Sequence, residues 1–236
     1  MKADRFISRK LRGRFVVFDG PDGCGKTTQL QLLADVLTSA GQTVVKAHDP
    51  GGTVIGERIR QVLLGYDLSE MDVRCETFLF MASRAQLVSE VIGPALKGGA
   101  TVLCSRFISA TYAYQGAAGY DTGKLFELGR WAVGDVWPDV TVVLDVPAET
   151  GFERTGRKSK HAGKNRDSRV GDHPMLISGA EVDAMEARPI DYHRRVREGF
   201  LSLPGVYPRP VVIVDGGGEA EVVHGRVLEA LGGVAV

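Results

Sequence analysis

The sequence lacks any excess of charge: Lys and Arg together number 29, Asp and Glu also number 29, and the formal net charge is zero. No overall electrostatic field therefore draws the chain to nucleic acid or to a membrane surface, and we expect neither as a partner. The chain also has no apolar run approaching the ~18 residues of a membrane span. Its basic N-terminal stretch lacks the apolar segment that a signal peptide needs.

Cysteine is scarce as well. The three cysteines, Cys24, Cys75 and Cys104, are far apart in the chain and do not have the spacing of metal ligands. This pattern favours free thiols in a reducing compartment and predicts a cytoplasmic protein.

The length of 236 residues and the 44% of hydrophobic residues suit one α/β domain with a substantial core. Basic residues are frequent between Lys2 and Arg14. We therefore predict that residues 1–13 form a disordered basic tail and that residues 14–236 form a single domain.

Short apolar runs alternate with segments of helical periodicity along this domain. This alternation predicts a parallel sheet covered by helices on both faces, with ligands bound at the carboxyl ends of its strands. The helical pattern over residues 75–97 is interrupted near Gly93 and Pro94, and a further helical region covers about residues 109–136. The five predicted strands are residues 14–19, 43–47, 101–104, 140–145 and 211–215.

The segment from Arg154 to Arg169 departs from this alternation, because its many basic residues are opposed by a single acid, Asp167. Such a segment cannot form a core. It is either a solvated loop or a mobile cationic lid that closes over phosphates, and its position after a strand favours a lid over about residues 154–172.

The strongest motif is G-x-x-x-x-G-K-[ST] between a predicted strand and a predicted helix, the context of a phosphate-binding loop. Glycines let successive backbone N–H groups point at phosphate oxygens, and the following helix adds its positive dipole end. Lys26 would neutralise charge on the phosphates of ATP, and the Thr27 hydroxyl can ligate Mg²⁺. The nucleotide-binding residues are predicted to be Gly20, Pro21, Asp22, Gly23, Cys24, Gly25, Lys26, Thr27 and Thr28.

A phosphate loop alone does not define the reaction of a P-loop NTPase. The sequence contains no N-K-x-D segment for guanine, which disfavours a GTPase. Ser105 stands where an acid would commonly follow the strand over residues 101–104, and this disfavours a hydrolytic motor.

Several further blocks, in this order and spacing, resemble the bacterial thymidylate kinase family from about Arg14 to Leu231. Any one of them would be weak evidence, but the set is specific. The blocks are residues 18–28, 49–53, 80–86, 105–107, 113–116, 138–139 with 144–146, and 192–200.

The resemblance implies a nucleoside monophosphate kinase that transfers the γ-phosphate of ATP to dTMP with Mg²⁺, giving dTDP for dTTP synthesis. It also implies a homodimer joined through helices. Phe80 matches the aromatic residue that stacks on thymine, and Arg84 matches the arginine that donates to the pyrimidine carbonyl. Thr111 and Gln115 match polar residues that read the base edge, and Tyr114 matches the residue beside the deoxyribose.

The resemblance extends to the phosphate-binding side chains. Arg60 and Arg106 match arginines near the monophosphate, and Asp49 falls in a substrate-binding block. Where glycine follows the loop acid, as Gly23 follows Asp22 here, the family's lid supplies the catalytic cation. Arg157 and Arg166 are the candidates, and Lys26, Arg106 and Asp22 complete the predicted catalytic set.

The sequence departs from the family at three places. Ser105 replaces the aspartate expected near Mg²⁺, Asp49 replaces a glutamate, and the family's acid-Arg-x-Glu after the lid becomes Asp183 to Glu186. Asp22, Asp49 and Glu186 could hold hydrated magnesium instead. Two alternatives stay open: a kinase for another nucleoside monophosphate or a deoxynucleoside, and a nucleotide-binding relative with weakened catalysis.

Overall fold

The computed structural model describes residues 2–65, 71–156 and 188–235, with side chains from residue 5 onward. Three predicted site residues, Arg157, Arg166 and Glu186, lie outside the described residues, as does most of the predicted lid.

Five strands form one sheet in the order β2-β3-β1-β4-β5, with every neighbouring pair parallel. The α/β fold with a five-stranded parallel sheet is therefore confirmed. The central strands β1 and β4 consist mostly of β-branched and aromatic residues, which suit a sheet that is buried on both faces. The strands are β1 (Phe15–Asp19), β2 (Val44–His48), β3 (Thr101–Ser105), β4 (Val140–Asp145) and β5 (Val211–Asp215).

Helices cover both faces of this sheet. A π-helical turn, Val88–Ile92, joins α4 to α5, and a 3₁₀ turn, Leu203–Gly205, follows α9. The α-helices are α1 (Lys2–Lys10), α2 (Lys26–Ser39), α3 (Val54–Gly65), α4 (Val73–Leu87), α5 (Gly93–Lys97), α6 (Ile108–Ala117), α7 (Thr122–Val133), α8 (Ala148–Arg154), α9 (Ile190–Ser202) and α10 (Ala220–Gly233).

Successive side chains along β1 enter opposite faces of the sheet, as the period of two requires. Phe15 and Val17 belong to a core that also contains buried residues of α6 and α9. Val16 and Phe18 belong to a second core, shared with α1, α2 and α10. The sheet is thus held from both sides, which fixes the positions of the loops at its carboxyl edge.

The prediction of a disordered N-terminal tail is wrong for residues 2–10, which form α1. Ile7 and Leu11 are buried in the second core, and Lys10 donates from Nζ to the carbonyl of Gly232 at 2.8 Å. The two apolar residues stand four positions apart, the spacing of one helix face. The prediction failed because the many basic residues of the segment outweighed these two apolar positions.

Two helix predictions also need correction. The helical region over residues 109–136 is two helices, because Gly119 takes a left-handed φ of 93° and Asp121 caps α7 by accepting from the Gly123 N–H. The helix predicted from residue 75 begins at Val73, where Asp72 is the cap. The interruption expected near Gly93 is the π-helical turn that precedes it.

Candidate active site

The phosphate loop connects β1 to α2. At two of its positions the neighbouring backbone lies so close that only glycine fits. A Cβ on Gly20 would lie 2.3 Å from the Leu144 carbonyl oxygen, and one on Gly23 would lie 2.4 Å from the Gly151 carbonyl oxygen. Both glycines also have positive φ angles. Larger residues would push the loop away from β4 and α8.

Gly25 caps the N-terminus of α2 in the left-handed conformation, with φ of 97°. The N–H groups of the first helical turn, which have no acceptors within a helix, and the positive end of the helix dipole therefore face the loop, as anion binding requires. Thr27 and Thr28 lie in this turn and are exposed.

Lys26 places its positive charge across the loop. Its Nζ donates to the carbonyl of Gly20 at 3.0 Å and to the carbonyl of Pro21 at 2.9 Å. The ammonium group is thus held at the concave side of the loop, where phosphates would bind.

A cavity of about 170 Å³ lies next to the phosphate loop, at the carboxyl edge of the sheet. Its lining includes all eight residues predicted to bind the acceptor, together with the loop residue Asp22. The eight acceptor-binding residues come from the segment after β2, from α3, from α4 and from the segment between β3 and the end of α6. The eight are Asp49, Arg60, Phe80, Arg84, Arg106, Thr111, Tyr114 and Gln115.

Arg84 is buried at the wall of this cavity and is held by several acceptors. Its Nε donates to Asp49 Oδ2 at 2.5 Å, and its Nη2 donates to Thr111 Oγ1 at 2.9 Å and to the Phe107 carbonyl at 3.1 Å. Burial raises the pKa of Asp49, whereas the charge of Arg84 opposes that rise. Among the residues that the structure describes, none hydrogen-bonds Asp49 Oδ1, although Asp49 lines the cavity.

Arg106 joins the cavity to the phosphate loop. Its backbone is left-handed, with φ of 67°, an uncommon and strained conformation for a residue with a side chain. Its guanidinium group pairs with Asp22, lies 4.0 Å from Asp19 and stands 4.9 Å from the centre of the Tyr114 ring. The strained backbone thus aims a cation between the two binding regions.

The other predicted acceptor residues occupy the sides of the cavity. Arg60 donates to the Pro50 carbonyl at 2.9 Å, which holds its charge at the rim. Phe80 is half-buried and packs against the core while it lines the cavity, so it belongs to both. Tyr114 is buried, and burial raises the pKa of its phenol well above the usual value.

Sequence reasoning missed Asp19 as a member of the site. This fully buried carboxylate accepts from Ser109 Oγ at 2.6 Å and from the Gly20 N–H at 3.0 Å. Burial raises the pKa of Asp19, and Arg106 is the largest opposing influence. Its position as the last residue of β1 was the available signal, because parallel strands present functional groups at their carboxyl ends.

Glu76 was also missed. Its fully buried carboxylate accepts from Gln115 Nε2 at 2.7 Å and pairs with Arg188 Nη2 at 2.6 Å. Glu76, Phe80 and Arg84 are spaced four residues apart on α4, so they share one helix face. That spacing could have placed Glu76 beside the predicted base-binding residues.

A phosphate loop after the first strand, a parallel sheet and an adjacent cavity lined with arginines define a P-loop phosphotransferase acting on an anionic acceptor. Comparison with known proteins narrows this class. Residues 18–170 match the family model described as thymidylate kinase.

Individual relatives agree with that match. The chain is 39% identical over 220 residues to a thymidylate kinase of Citrifermentans bemidjiense, covering 93% of this chain and 91% of the relative. It is 41% identical over 217 residues to one of Pelobacter propionicus, covering 92% of each chain. A crystal structure of thymidylate kinase from Ehrlichia chaffeensis superposes with a TM-score of 0.69 at 28% identity, covering 92% of this chain and 98% of that one. The chain belongs to the thymidylate kinase family and is a nucleoside monophosphate kinase.

Proposed function

We propose that the protein transfers the γ-phosphate of ATP to dTMP, giving dTDP and ADP. The observation that carries this proposal is one cavity beside the phosphate loop that all eight predicted acceptor-binding residues line, although they come from separate elements. The names of the related proteins support the same substrate.

The reaction needs positioning and charge compensation more than it needs a base. A phosphate oxygen of dTMP attacks the γ-phosphorus of ATP, and the bond from that phosphorus to the oxygen bridging the β- and γ-phosphates breaks. The acceptor is already an anion, so no strong general base is required. Lys26 on the loop and Arg106 between the loop and the cavity supply positive charge to the transferring group.

The cavity suits a thymine base. The Arg84 guanidinium is held rigidly by Asp49 and Thr111, which orients its remaining N–H donor capacity for the carbonyl at the base 4-position. Phe80 offers a ring for stacking, and the Tyr114 ring limits the space beside the sugar.

Magnesium belongs to this proposal as a partner of ATP. Among the residues that the structure describes, no three His, Cys, Asp or Glu side chains gather as candidate metal ligands. Mg²⁺ in kinases is held by few protein oxygens together with substrate phosphates and waters, so this site fits such an ion. The exposed Thr27 hydroxyl and the Asp22 carboxylate would hold it, with Glu186 as a further candidate; bound Mg²⁺ would neutralise phosphate charge.

The lid over about residues 154–172 is likewise proposed to supply Arg157 and Arg166 to the transferring phosphoryl group. Replacing both with Gln should lower kcat with little change in dTMP affinity, because such cations act on charge that develops during transfer.

We also propose a homodimer formed through helices. Exposed apolar side chains on α3 and α4, which pack together, support a second copy as the partner: Ile55, Val62 and Phe78. Sedimentation of the wild type and of Val62→Asp would test this.

The free thiols Cys24, Cys75 and Cys104 are consistent with the proposed cytoplasmic location. No helix in the described part of the chain is long and apolar enough to cross a membrane.

The decisive experiment measures ADP formation with ATP and Mg²⁺ across a panel of acceptors: dTMP, dUMP, dCMP, dGMP, AMP and thymidine. We expect the highest kcat/KM with dTMP. A preference for a purine monophosphate or for thymidine would refute the proposal, and ATP binding without turnover on any acceptor would identify a weakened relative.

A further inference from the structure

Glu76 lies behind the wall of the acceptor cavity, on α4, and its carboxylate is fully buried. One oxygen accepts from Gln115 Nε2 at 2.7 Å, and the other pairs with Arg188 Nη2 at 2.6 Å. Both oxygens of a buried charge are therefore used, in agreement with the rule that such groups are paired.

Arg188 is the positively charged partner of the Glu76 carboxylate. Its guanidinium group compensates the charge of Glu76 and stands 4.5 Å from the centre of the Tyr192 ring, which helps to hold the arginine in place. An ionised carboxylate has acceptors and no donor. Glu76 can consequently bind only the NH₂ end of the Gln115 side chain.

The orientation of the Gln115 amide follows from this constraint. An amide can present either its NH₂ donor or its oxygen acceptor to a neighbour, and the hydrogen-bond network decides which. Because the NH₂ group is bound by Glu76, the Gln115 side chain keeps its oxygen as the group for the cavity that it lines.

We propose that Glu76 is a positioning residue that sets base specificity, because it makes Gln115 present an acceptor to the pyrimidine. This inference rests on the proposed function. Thymine and uracil carry a hydrogen on N3 and can donate to the Gln115 oxygen. Cytosine has a lone pair at N3, so two acceptors would face each other, and the mismatch disfavours binding.

The test compares dUMP with dCMP, which differ only at N3 and the 4-position, so the 5-methyl group plays no part. Dissociation constants are measured by calorimetry without ATP, and kcat/KM is measured with ATP. Glu76→Gln keeps the size of the side chain but can donate as well as accept, so it lets the Gln115 amide turn over.

We expect Glu76→Gln to lower the preference for dUMP over dCMP by at least about tenfold, with tighter dCMP binding as part of the change. Thr77→Val is the matched control. Thr77 is the next residue on α4, is equally buried, and uses its hydroxyl on the Val73 carbonyl of the same helix at 2.6 Å. Its dUMP to dCMP ratio should equal that of the wild type.

If Glu76→Gln weakened the binding of dUMP and dCMP equally, the dUMP to dCMP ratio would stay unchanged and Glu76 would have a structural role only. That result would overturn the inference and leave the proposed function intact. A wild type that binds neither dTMP nor dUMP would instead refute the proposed function. A measurement on the wild type remains decisive if the variant fails to fold. The Gln115 NH₂ protons should be protected from exchange before and after dTMP binds, and loss of that protection on binding would show that the NH₂ turns to the base.

Discussion

The phosphate loop and the acceptor cavity lie side by side but use different parts of the chain for recognition. In the loop, the backbone provides most of the site: Gly20 and Gly23 fit against neighbouring carbonyl groups, and the first turn of α2 supplies N–H donors. In the cavity, side chains provide the site and hold one another, as Asp49 holds Arg84 and Glu76 holds Gln115. Arg106 contacts both regions, because it pairs with Asp22 of the loop and stands over the Tyr114 ring of the cavity.

This difference has a consequence for mutations. A backbone site should fail as a whole when its path is disturbed, because all of its donors move together. A site built from paired side chains should lose one substrate or one specificity at a time, because each pair orients a separate group. Substitutions in the two regions should therefore separate the effects on ATP from the effects on dTMP.

The largest effect is expected for Lys26→Ala, which removes the charge that the loop presents. We expect kcat to fall by at least about a hundredfold, since one group that stabilises transition-state charge is worth that much. The measurement is steady-state ADP formation, with dTMP binding followed by calorimetry.

Lys46→Ala is the matched control for this change. Lys46 lies on β2 and donates to Gln31 at 2.8 Å on the surface. Its kcat should remain that of the wild type. Turnover of Lys26→Ala at the wild-type rate would remove the lysine from the catalytic set.

Gly20→Ala tests whether the backbone path itself is the ATP site. The added Cβ would meet the Leu144 carbonyl at 2.3 Å in a residue with φ of 132°, so the loop must shift. We expect the KM for ATP to rise about tenfold or more and stability to fall by about 1–3 kcal/mol, with dTMP affinity retained.

Gly41→Ala provides the comparison, because Gly41 also has a positive φ, of 79°, but a Cβ there meets nothing within 4 Å. It should cost stability alone, measured by urea unfolding. Equal losses of ATP and dTMP affinity in Gly20→Ala would contradict the separation of the two regions.

The difference between the phosphate loop and the acceptor cavity also explains how much of the site could be predicted from the sequence. The phosphate loop is contiguous, so its motif and flanking periodicity predict all of its residues together. The cavity joins distant segments, and only the family resemblance grouped Arg60, Phe80 and Gln115. The partners that orient these groups were not predicted, because Glu76 and Arg188 are 112 residues apart in the chain. The N-terminal helix was missed because two apolar residues carry its packing while charge dominates its composition.

Phe80→Ala should act on one substrate only. Loss of stacking on the base is worth about 1 kcal/mol or more, so the KM for dTMP should rise by at least about fivefold while the KM for ATP stays nearly constant. Trp131→Ala, which removes a ring that is 83% exposed, is the control and should change neither constant. If both KM values rose equally in Phe80→Ala, the ring would act through the core and the cavity would lose its stacking residue.

The smallest effect is expected for Ser105→Asp, which restores the acid that the family resemblance implies. Ser105 ends β3 and pairs in register with Phe18 on β1, directly beside the residue that connects the two regions. Arg106 already has carboxylate partners in Asp22 and Asp19, so the charge that an aspartate at position 105 would offset is largely compensated. We therefore expect kcat to change by less than about fivefold, which is the range of a weak ion pair. Titration of Mg²⁺ against dTDP formation provides the measurement, and Ser105→Asn separates charge from size. A rise in kcat of more than tenfold in Ser105→Asp alone, together with a lower Mg²⁺ requirement, would show that Asp19 and Asp22 do not replace the missing carboxylate.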